Sequence, residues 1–501
     1  MERYVLGVDV GTGGTRALLI NEAGQVVNSA TQEHAPFTTP YSGWAEQHPD
    51  DWWRAAQLAI RKVLTVHSLA GRRIACVGLS GQMHGAVMLD AAGNVVRPAL
   101  IWCDVRTQKQ CNDLNERIGA ARLIQLTCNT ALTNFTLTKL LWVRQNEPQN
   151  WKRVRSIMLP KDYVRFRLTG EKATDVADAS GTLMLDVSRR QWSKEVLQAV
   201  ELDSSLLPTL FESPDICGKV SAEAAAATGL AAGTPVVAGA GDQAAGAIGM
   251  GVVAPGAVSA TIGTSGVVFA ATDCPALDPE GRLHTFCHAI PGRWHVMGVT
   301  QAAGLSLRWF RDRFGTAIPG NDADPYELLI GEATKAPAGS GGLLWAPYLM
   351  GERTPHLDPE ARGVLAGITA SHTRAHVIRA ILEGVAFSLK DTLSIFEEMN
   401  VPVGSIRLGG GGARAPLWRQ IQADVYGHEV EIVEAEEGAA YGAAILAGVG
   451  VQMWPSVDAA CESVVRVFQR VLPVPADVAT MQERYAVYSR IYPAMKSIFQ
   501  A

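Results

Sequence analysis

Apolar runs alternate with amphipathic stretches along this chain of 501 residues. Two of the runs, 5–20 and 257–270, are each divided by a turn of glycine and threonine, and this pattern predicts a β-hairpin near the start of each half of the chain. The apolar run 74–79 predicts a further strand, while 377–399 and 476–501 predict two helices. Strands and helices that alternate in this way are typical of an α/β fold.

A third glycine cluster predicts a strand, a loop and a helix in succession. Four glycines, Gly409 to Gly412, follow the apolar strand, and an amphipathic segment then continues to a glycine stop at Gly427. Backbone N–H groups in such loops are not obstructed by side chains, so they suit phosphate oxygens. Each hairpin tip taken alone is at least as well explained by the glycine that a tight turn requires. The two hairpins together favour a duplicated fold that holds a phosphate between its halves.

One carboxylate interrupts a long uncharged part of the sequence. Between Glu223 and Asp273 the only charged side chain is that of Asp242. A carboxylate without a partner is costly to bury, so packing alone gives little reason to keep it there. Asp242 follows a strand-like run and precedes small residues suited to a helix, which is where α/β folds place ligand sites. The alternative is an N-cap aspartate that satisfies the first N–H groups of the helix, and the sequence favours neither.

Composition argues against several classes of protein. The length exceeds what one hydrophobic core usually supports, so we expect two or more domains, with a boundary between Gly249 and Pro255. A net charge of −5 without basic tracts makes nucleic acid an unexpected partner. The eight cysteines form no CxxC pair, which favours a reducing cytoplasm, and no export signal or membrane-spanning run is visible.

Two acidic residues near glycine and hydroxyl turns suit phosphoryl transfer. No glycine loop ends in Lys-Ser or Lys-Thr as a P-loop requires, and Gly11–Arg16 lacks the last glycine of a dinucleotide fingerprint. Phosphoryl transfer needs a protein that positions two substrates, neutralises charge and accepts one proton. We expect Asp242 to be the base and Asp9 to hold the Mg²⁺ of ATP through water. The alternative for Asp9 is to cap its own turn.

These motifs, taken in order, resemble those of the FGGY carbohydrate kinases, within the actin, hexokinase and Hsp70 superfamily with its ribonuclease H-like fold. The resemblance covers nearly the whole chain and rests on Asp9–Thr12 with Arg16, Gly241–Gln243, Gly263–Ser265, Ala302–Gly304 and Gly409–Ala413. It implies an α/β protein of two domains, each a mixed five-stranded sheet flanked by helices, with a cleft between them. The N-terminal domain, 1–249, would bind the sugar, and the C-terminal domain, 250–501, would bind the nucleotide.

The resemblance also implies roles for individual residues. By similarity, Asp242 is the catalytic base, Asp9 is the Mg²⁺-linked acid and ATP is the phosphoryl donor. The residues expected to contact the nucleotide are Gly11, Thr12, Arg16, Gly263, Thr264, Gly304, Gly410 and Gly411. The residues expected to contact the sugar are Met83, His84, Asp104, Asn134 and Gln243. No residue is assigned to adenine, because Ala415 and Pro416 stand where glycerol kinases have an asparagine.

The expected acceptor depends on the segment 79–85. It resembles the corresponding segment of family members that phosphorylate D-xylulose, whereas glycerol kinases carry Arg-Glu where this chain has Met-His. A neutral imidazole and a methionine suit a linear ketose, although a histidine at such a position is more often a satisfied core residue. Ribulose or a related polyol, an ATPase without an acceptor, and a homodimer are left open. The segment 351–355 also resembles a family element, and its charges can pair with Asp358 and Arg362 at the surface.

Overall fold

Two large β-sheets, each flanked by helices, organise the protein. The computed structural model describes residues 3–65, 74–315, 324–434 and 438–500. The first sheet takes its strands from residues 4–241, and the second takes its strands from residues 256–471. Each sheet packs into a hydrophobic core of its own. The expected α/β fold with mixed sheets is therefore confirmed.

The described residues form 24 strands, and those that belong to neither large sheet have only two or three residues. In the first half they are β1 (Tyr4–Val10), β2 (Gly14–Asn21), β3 (Val26–Glu33), β4 (Glu46–Gln47), β5 (Ile74–Gly81), β6 (Val87–Leu89), β7 (Ala99–Leu100), β8 (Ser156–Met158), β9 (Ala173–Asp175), β10 (Leu185–Asp186), β11 (Gln191–Trp192), β12 (Thr209–Phe211), β13 (Ile216–Lys219), β14 (Pro235–Val237) and β15 (Ala240–Gly241). In the second half they are β16 (Gly256–Ile262), β17 (Gly266–Thr272), β18 (His284–Cys287), β19 (Trp294–Thr300), β20 (Leu344–Ala346), β21 (Val364–Ala366), β22 (Val403–Gly410), β23 (Val430–Val433) and β24 (Val467–Val471).

Helices fill the intervals between the strands. In the first half they are α1 (Pro49–Thr65), α2 (Gln108–Ile118), α3 (Ala120–Thr127), α4 (Thr136–Asn146), α5 (Pro148–Trp151), α6 (Pro160–Thr169), α7 (Val176–Ser180), α8 (Lys194–Ala199), α9 (Ala222–Thr228) and α10 (Asp242–Gly249). In the second half they are α11 (Gly304–Phe314), α12 (Pro325–Ala333), α13 (Arg374–Glu398), α14 (Pro416–Tyr426), α15 (Gly438–Gly450), α16 (Val457–Val464), α17 (Pro475–Tyr488) and α18 (Ile491–Phe499).

The first sheet has the strand order β13-β14-β5-β1-β2-β3, and β15 pairs with β5. β1 and β2 form the predicted hairpin, in which Asp9 lies opposite Arg16. β1 also runs parallel to β5, where Asp9 lies beside Ser80. The sheet has seven strands rather than the expected five. The additional strand β13 pairs with the edge of β14, and β15 extends the pairing of β5, so backbone groups that would otherwise lack partners are satisfied.

The second sheet has the order β18-β19-β17-β16-β22-β23-β24. β16 and β17 form the second predicted hairpin, and β16 runs parallel to β22, with Ile262 beside Gly410. This sheet also has seven strands instead of five, because β18 and β24 add antiparallel edges. In both sheets the first strand of a hairpin pairs in parallel with a later strand. This repeated arrangement supports the duplicated fold.

The predicted helices are confirmed in two of three places. α14 follows the glycine loop after β22 and ends at Gly427, whose φ of 71° is left-handed, and α13 covers the segment predicted at 377–399. The single terminal helix predicted at 476–501 is wrong, because α17 ends at Tyr488 and α18 begins at Ile491. Pro493 explains the break, since its ring has no N–H and would clash with the carbonyl four residues earlier in a continuous helix. Residue 501 lies outside the described residues.

Helix α15 belongs to the second half by sequence, yet it packs on β1 and β5 of the first sheet and on α10. Glycines allow this close approach. A Cβ on Gly7 would lie 1.9 Å from the carbonyl oxygen of Ala440, and a Cβ on Gly442 would lie 1.8 Å from the carbonyl oxygen of Ala245. Since α10 begins with Asp242, this contact fixes the position of that carboxylate.

Two further features of the protein concern membrane-spanning helices and the cysteines. None of the helices in the described part of the chain combines the length and the apolar character that a bilayer-spanning segment needs. All eight cysteines are free thiols. The expected cytoplasmic location stays a prediction.

Candidate active site

Asp242 lies where the end of β15 meets the start of α10. The N-cap position is Gly241, and no side chain makes a capping hydrogen bond there, so the N-cap alternative does not describe Asp242. Gln243 donates from Nε2 to Oδ1 of Asp242 at 3.2 Å. Both residues line a cavity of about 410 Å³ between α10, the start of α15 and the second sheet. The carboxylate therefore faces a cleft between the two halves of the chain.

Asp9 lies close enough to Asp242 for the two carboxylates to interact. Burial, and then the negative charge of Asp9, raise the pKa of Asp242 from 3.8 to about 7, against the opposing effect of Gln243. Burial likewise raises the pKa of Asp9 to about 6, although Ser80 and the positive charge of Arg16 oppose it. Atom Oδ1 of Asp9 is buried and has no hydrogen-bond partner among the described residues. Two carboxylates held in this way suit a site that receives a cation or a proton.

The donor set fits a magnesium ion that arrives with a nucleotide. Within the described residues, no group of three or more histidine, cysteine, aspartate or glutamate side chains could hold a metal. Mg²⁺ keeps several waters and is commonly bound by one or two carboxylates together with substrate phosphates. The buried, unpartnered oxygen of Asp9 beside Asp242 meets that requirement.

Three glycine segments of the second half, which the resemblance assigns to the nucleotide, lie close together. The N–H of Gly304 donates to the carbonyl of Gly263 at 2.9 Å. A Cβ on Gly304 would lie 2.4 Å from that carbonyl oxygen, and a Cβ on Gly410 would lie 2.5 Å from the carbonyl oxygen of Ile262, so larger residues cannot approach as closely. Gly410 and the next residue, Gly411, line the cavity that contains Asp242. The side chain of Thr264 accepts a hydrogen bond from Arg308 at 3.2 Å.

The tip of the first hairpin is tied to the segments expected to bind the acceptor. The N–H of Gly11 closes the turn by donating to the carbonyl of Gly14 at 3.0 Å. Trp102 donates from Nε1 to Oγ1 of Thr12 at 2.9 Å, and Gln82 donates from Nε2 to the carbonyl of Gly11 at 3.4 Å. Sequence analysis did not assign Trp102 or Gln82 to the site. The available signal was that Gln82 lies within the segment 79–85 and that Trp102 lies two residues before Asp104.

Met83 and His84 lie next to the strand that leads to Asp242. A Cβ on Gly241 would lie 2.8 Å from Cγ of Met83. The imidazole of His84 is buried, and its Nδ1 lies 2.7 Å from the carbonyl oxygen of Gly181. Burial and the charge of Lys139 lower the pKa of His84 to about 3, so the ring is neutral. Nδ1–H therefore donates to the carbonyl, which leaves Nε2 as a hydrogen-bond acceptor.

Lys139 is a site residue that the sequence analysis missed. It is fully buried in α4, and its Nζ donates to the carbonyl of His84 at 2.9 Å and to the carbonyl of Asn134 at 2.5 Å. Lys139 thus holds the two predicted acceptor segments together. The side chain of Asn134 is 2% exposed, and neither end of its amide has a partner among the described residues. An unpartnered buried amide suits a sugar hydroxyl, because it can both donate and accept.

Asp104 does not fit its expected role. Its side chain is completely buried, and Oδ2 accepts hydrogen bonds from the N–H of Ala45 at 2.7 Å and from Nη2 of Arg106 at 2.6 Å. Oδ1 accepts from Nε of Arg106 at 2.9 Å. The guanidinium of Arg106 also pairs with Glu46 at 2.8 Å and lies 3.6 Å from the ring centre of Trp44. With both oxygens engaged, Asp104 stabilises this part of the fold and is not available to a sugar hydroxyl.

The charges of segment 351–355 do not pair at the surface. Glu352 is 4% exposed, and its carboxyl accepts from Oγ1 of Thr300 at 2.6 Å. Arg362 pairs instead with Glu360 at 3.0 Å. The proposed surface pairs with Asp358 and Arg362 are therefore wrong, and this segment is part of the interior beside β19.

The cavity also contains side chains that the sequence analysis did not single out. They are Met250, Ser259, Thr261, Val267, Phe269, Leu408, Arg414, Arg419, Ile432, Val433, Glu434 and Phe468. Most come from strands of the second sheet. The alternation of side chains along a strand indicates which positions share a face, but it does not show which face bounds a cleft. The cavity therefore combines apolar side chains of the second sheet with polar and charged ones, in addition to the carboxylate and the glycine loop.

The two-sheet fold, the paired carboxylates and the glycine turns of both halves define a phosphotransferase of the actin and hexokinase type. Comparison with known proteins agrees. The model of the N-terminal domain of the FGGY family of carbohydrate kinases matches residues 4–249, and that of the C-terminal domain matches residues 258–451. The chain belongs to the FGGY family of carbohydrate kinases.

Individual relatives match over nearly their whole length. A xylulose kinase of Lactococcus lactis subsp. lactis is 40% identical over 491 residues, which cover 98% of this chain and 96% of the relative. A gluconokinase of Bacillus subtilis is 32% identical and covers 89% of this chain and 87% of the relative. The crystal structure of a xyloylose kinase from Brucella ovis has a TM-score of 0.91 at 36% identity and covers 99% of this chain and 100% of that chain.

Proposed function

We propose that the protein transfers the γ-phosphoryl group of ATP to the terminal hydroxyl of D-xylulose, giving D-xylulose 5-phosphate and ADP. The observation that carries the proposal is the position of Asp242. This carboxylate lines the same cavity as the glycine loop with Gly410, and Met83 of the acceptor segment packs against the preceding residue, Gly241. The xylulose kinase relatives, at up to 41% identity, support D-xylulose as the acceptor.

In this proposal the second half holds the nucleotide. The N–H groups of Gly263 and Gly304 already donate to backbone carbonyls, so these two glycines would serve to keep the turn free of side chains. The loop of Gly410 and Gly411, which lines the cavity, and the hydroxyl of Thr264 would contact the phosphate oxygens. Gly11 and Thr12 at the first hairpin tip, with Arg16 behind them, would complete the phosphate contacts. Mg²⁺ bound with ATP would neutralise phosphate charge, and Asp9 is the residue that would hold it, through water.

The first half would hold the sugar and its reacting hydroxyl. Met83 would pack on the carbon chain, while Nε2 of His84 and the free amide of Asn134 would meet hydroxyls. As the hydroxyl oxygen bonds to phosphorus and the bond from phosphorus to the ADP oxygen breaks, the hydroxyl proton passes to Asp242. Gln243, which donates to the same carboxylate, keeps it oriented.

The proposal also assigns places and partners. Residues 1–249 would form the sugar-binding domain and residues 250–501 the nucleotide-binding domain. The partners would be MgATP and a small sugar, in the cytoplasm where ATP is available, without nucleic acid or membrane. A homodimer stays a prediction.

A coupled assay of ADP release tests the acceptor. We expect kcat/KM to be highest with D-xylulose in a panel that also contains D-ribulose, glycerol and D-gluconate, and we expect almost no turnover without a sugar. Gluconate is included because a gluconokinase is among the relatives. If kcat/KM is higher with ribulose, glycerol or gluconate, that compound replaces xylulose as the proposed acceptor. Equal ADP release with and without sugar would favour an ATPase instead.

A further inference from the structure

Arg353 is held in a loop at the border between the sugar and nucleotide segments. The N–H of its neighbour Thr354 donates to a carbonyl of β19 at 3.0 Å. The N–H of Gln301, which follows β19, donates to Oε1 of Glu352 at 3.0 Å. The chain then enters α11 at Gly304, one of the glycines assigned to the nucleotide. The backbone of Arg353 is therefore fixed between the end of β19 and the start of α11 by its own half of the chain.

The guanidinium of Arg353 has no hydrogen bond and no ion pair among the described residues, although its side chain is partly buried. The nearest acid, Glu352, attracts it, but the oxygens of Glu352 are taken by Thr300 and backbone N–H groups. Other buried arginines have carboxylate partners: Arg106 with Asp104 at 2.6 Å, Arg165 with Asp162 at 2.7 Å and Arg379 with Glu383 at 2.8 Å. Arg353 is thus a charged donor that its surroundings leave for a ligand.

Contacts of the neighbouring residues place the loop of Arg353 beside the acceptor segment. Oγ1 of Thr354 donates to the carbonyl of Arg282 at 2.8 Å, two residues before His284. His284 of β18 packs on Phe135 with ring centres 5.5 Å apart, and Phe135 packs on His84 at 5.2 Å, so the second half meets the acceptor segment there. Burial lowers the pKa of His84, Lys139 and His284, and the positive charge of Arg353 lowers each of them further. The pKa of Asp242 responds instead to Asp9 and Gln243. The loop of Arg353 therefore lies on the side of His84, an acceptor residue in the proposed function.

The chemistry of the guanidinium then selects the group it binds. Arginine carries five N–H donors and no acceptor. A carbonyl oxygen only accepts, so it satisfies the guanidinium fully, whereas a hydroxyl brings a proton that arginine cannot accept. An open-chain ketose phosphorylated at its last carbon has such a carbonyl near its other end.

On the basis of the proposed function, we propose that Arg353 binds the carbonyl oxygen of the ketose and makes the enzyme select ketoses over the corresponding polyols. The second half would thereby contribute to the choice of sugar, a role that the resemblance assigned to the first half alone.

Substitution of Arg353 in the full-length enzyme tests this proposal. We expect Arg353→Met to raise KM for D-xylulose at least ~10-fold while kcat changes less than about threefold, because the contact acts in both ground and transition states. KM for MgATP, and the inhibition constant of xylitol, which lacks the carbonyl, should change less than about twofold. Arg362→Met is the matched control, since Arg362 pairs with Glu360 at 3.0 Å and should leave all constants unchanged.

Several outcomes would overturn the proposal. Equal weakening of xylulose and xylitol would make Arg353 a general packing residue, and a raised KM for MgATP would assign it to the nucleotide. Unchanged constants would also contradict it. If Arg353→Met does not fold, wild-type enzyme treated with phenylglyoxal gives the answer: xylulose, but not xylitol, should protect Arg353 from modification as measured by mass spectrometry. The proposed function itself is tested separately with the wild-type enzyme. It fails if adding xylulose does not increase the release of ADP.

Discussion

Replacing Asp242 with asparagine is expected to stabilise the protein at pH 8 while abolishing turnover. In the folded enzyme the pKa of this carboxyl rises from 3.8 to about 7, because burial and the charge of Asp9 disfavour ionisation. The folded state therefore binds more protons than the unfolded chain between about pH 4 and pH 7. Stability contributed by this group falls as the pH rises through that window. At pH 8 the ionised Asp242 opposes folding.

The size of the effect follows from the change in pKa. A rise from 3.8 to about 7 corresponds to about 4 kcal/mol, at ~1.36 kcal/mol for each factor of ten. This is an upper bound, because Asp242 lines a cavity and water there screens its charge. Asparagine has nearly the same shape and no charge. The melting temperature of Asp242→Asn, measured by calorimetry without ligands, should thus exceed that of the wild type at pH 8, and the difference should shrink towards pH 4.

Asp104→Asn provides a matched control of opposite sign. Both changes neutralise a carboxylate away from the surface, but Asp104 is paired with Arg106 at 2.6 Å. Asparagine would weaken the hydrogen bonds that Asp104 accepts, while Arg106 would keep Glu46 as a carboxylate partner at 2.8 Å, so the loss should be about 1–3 kcal/mol. A lower melting temperature for Asp242→Asn at pH 8, or a difference independent of pH, would refute the electrostatic reasoning. Turnover that survives in Asp242→Asn, with both substrates still bound, would refute its role as the base.

Three further predictions concern the same machinery. The ratio kcat/KM should fall about tenfold for each pH unit below pH 7, because the base must be ionised, and a profile flat to pH 5 in overlapping buffers would contradict this. Lys139→Met should raise KM for the sugar ~10-fold or more with little change in KM for MgATP, because Nζ joins two acceptor segments. If steady-state kinetics show equal increases in KM for both substrates, Lys139 contributes to general stability instead. Gly442→Ala should lower the free energy of unfolding, measured in urea, by at least about 1–3 kcal/mol, because its Cβ would lie 1.8 Å from a carbonyl oxygen. As a control, Gly331→Ala places its Cβ in open space on a helix and should stabilise the protein by up to about 1 kcal/mol.

The sequence predicted the parts of the fold that local pattern determines. Both hairpins and the loop before α14 were found because glycine marks their turns and apolar runs mark their strands. The edge strands β13 and β24 were not found, since they are short and partly exposed, so no continuous apolar run marks them. The break between α17 and α18 could have been predicted from Pro493, but the sequence analysis did not use this proline.

The candidate site was predictable to the same degree. Asp242 stands alone in an uncharged segment, so its cost of burial signalled a role before the structure was known. Asp104 was misjudged because its partner Arg106 looks like a surface residue in the sequence. Lys139 was missed because its two partners are backbone carbonyls, one of them 55 residues away. The signal that this lysine lies inside was the pair of apolar residues Phe135 and Val143, four positions before and after it, which are both fully buried.

The packing of α15 has a practical consequence for anyone who dissects this enzyme. A fragment that stopped at residue 249 would keep the first sheet but lose the helix that covers the bare backbone at Gly7 and Gly78. Such a fragment should be insoluble unless a peptide carrying residues 438–450 is supplied in trans. Sugar affinity and nucleotide affinity therefore have to be separated by point substitutions in the intact chain, not by expressing each lobe alone.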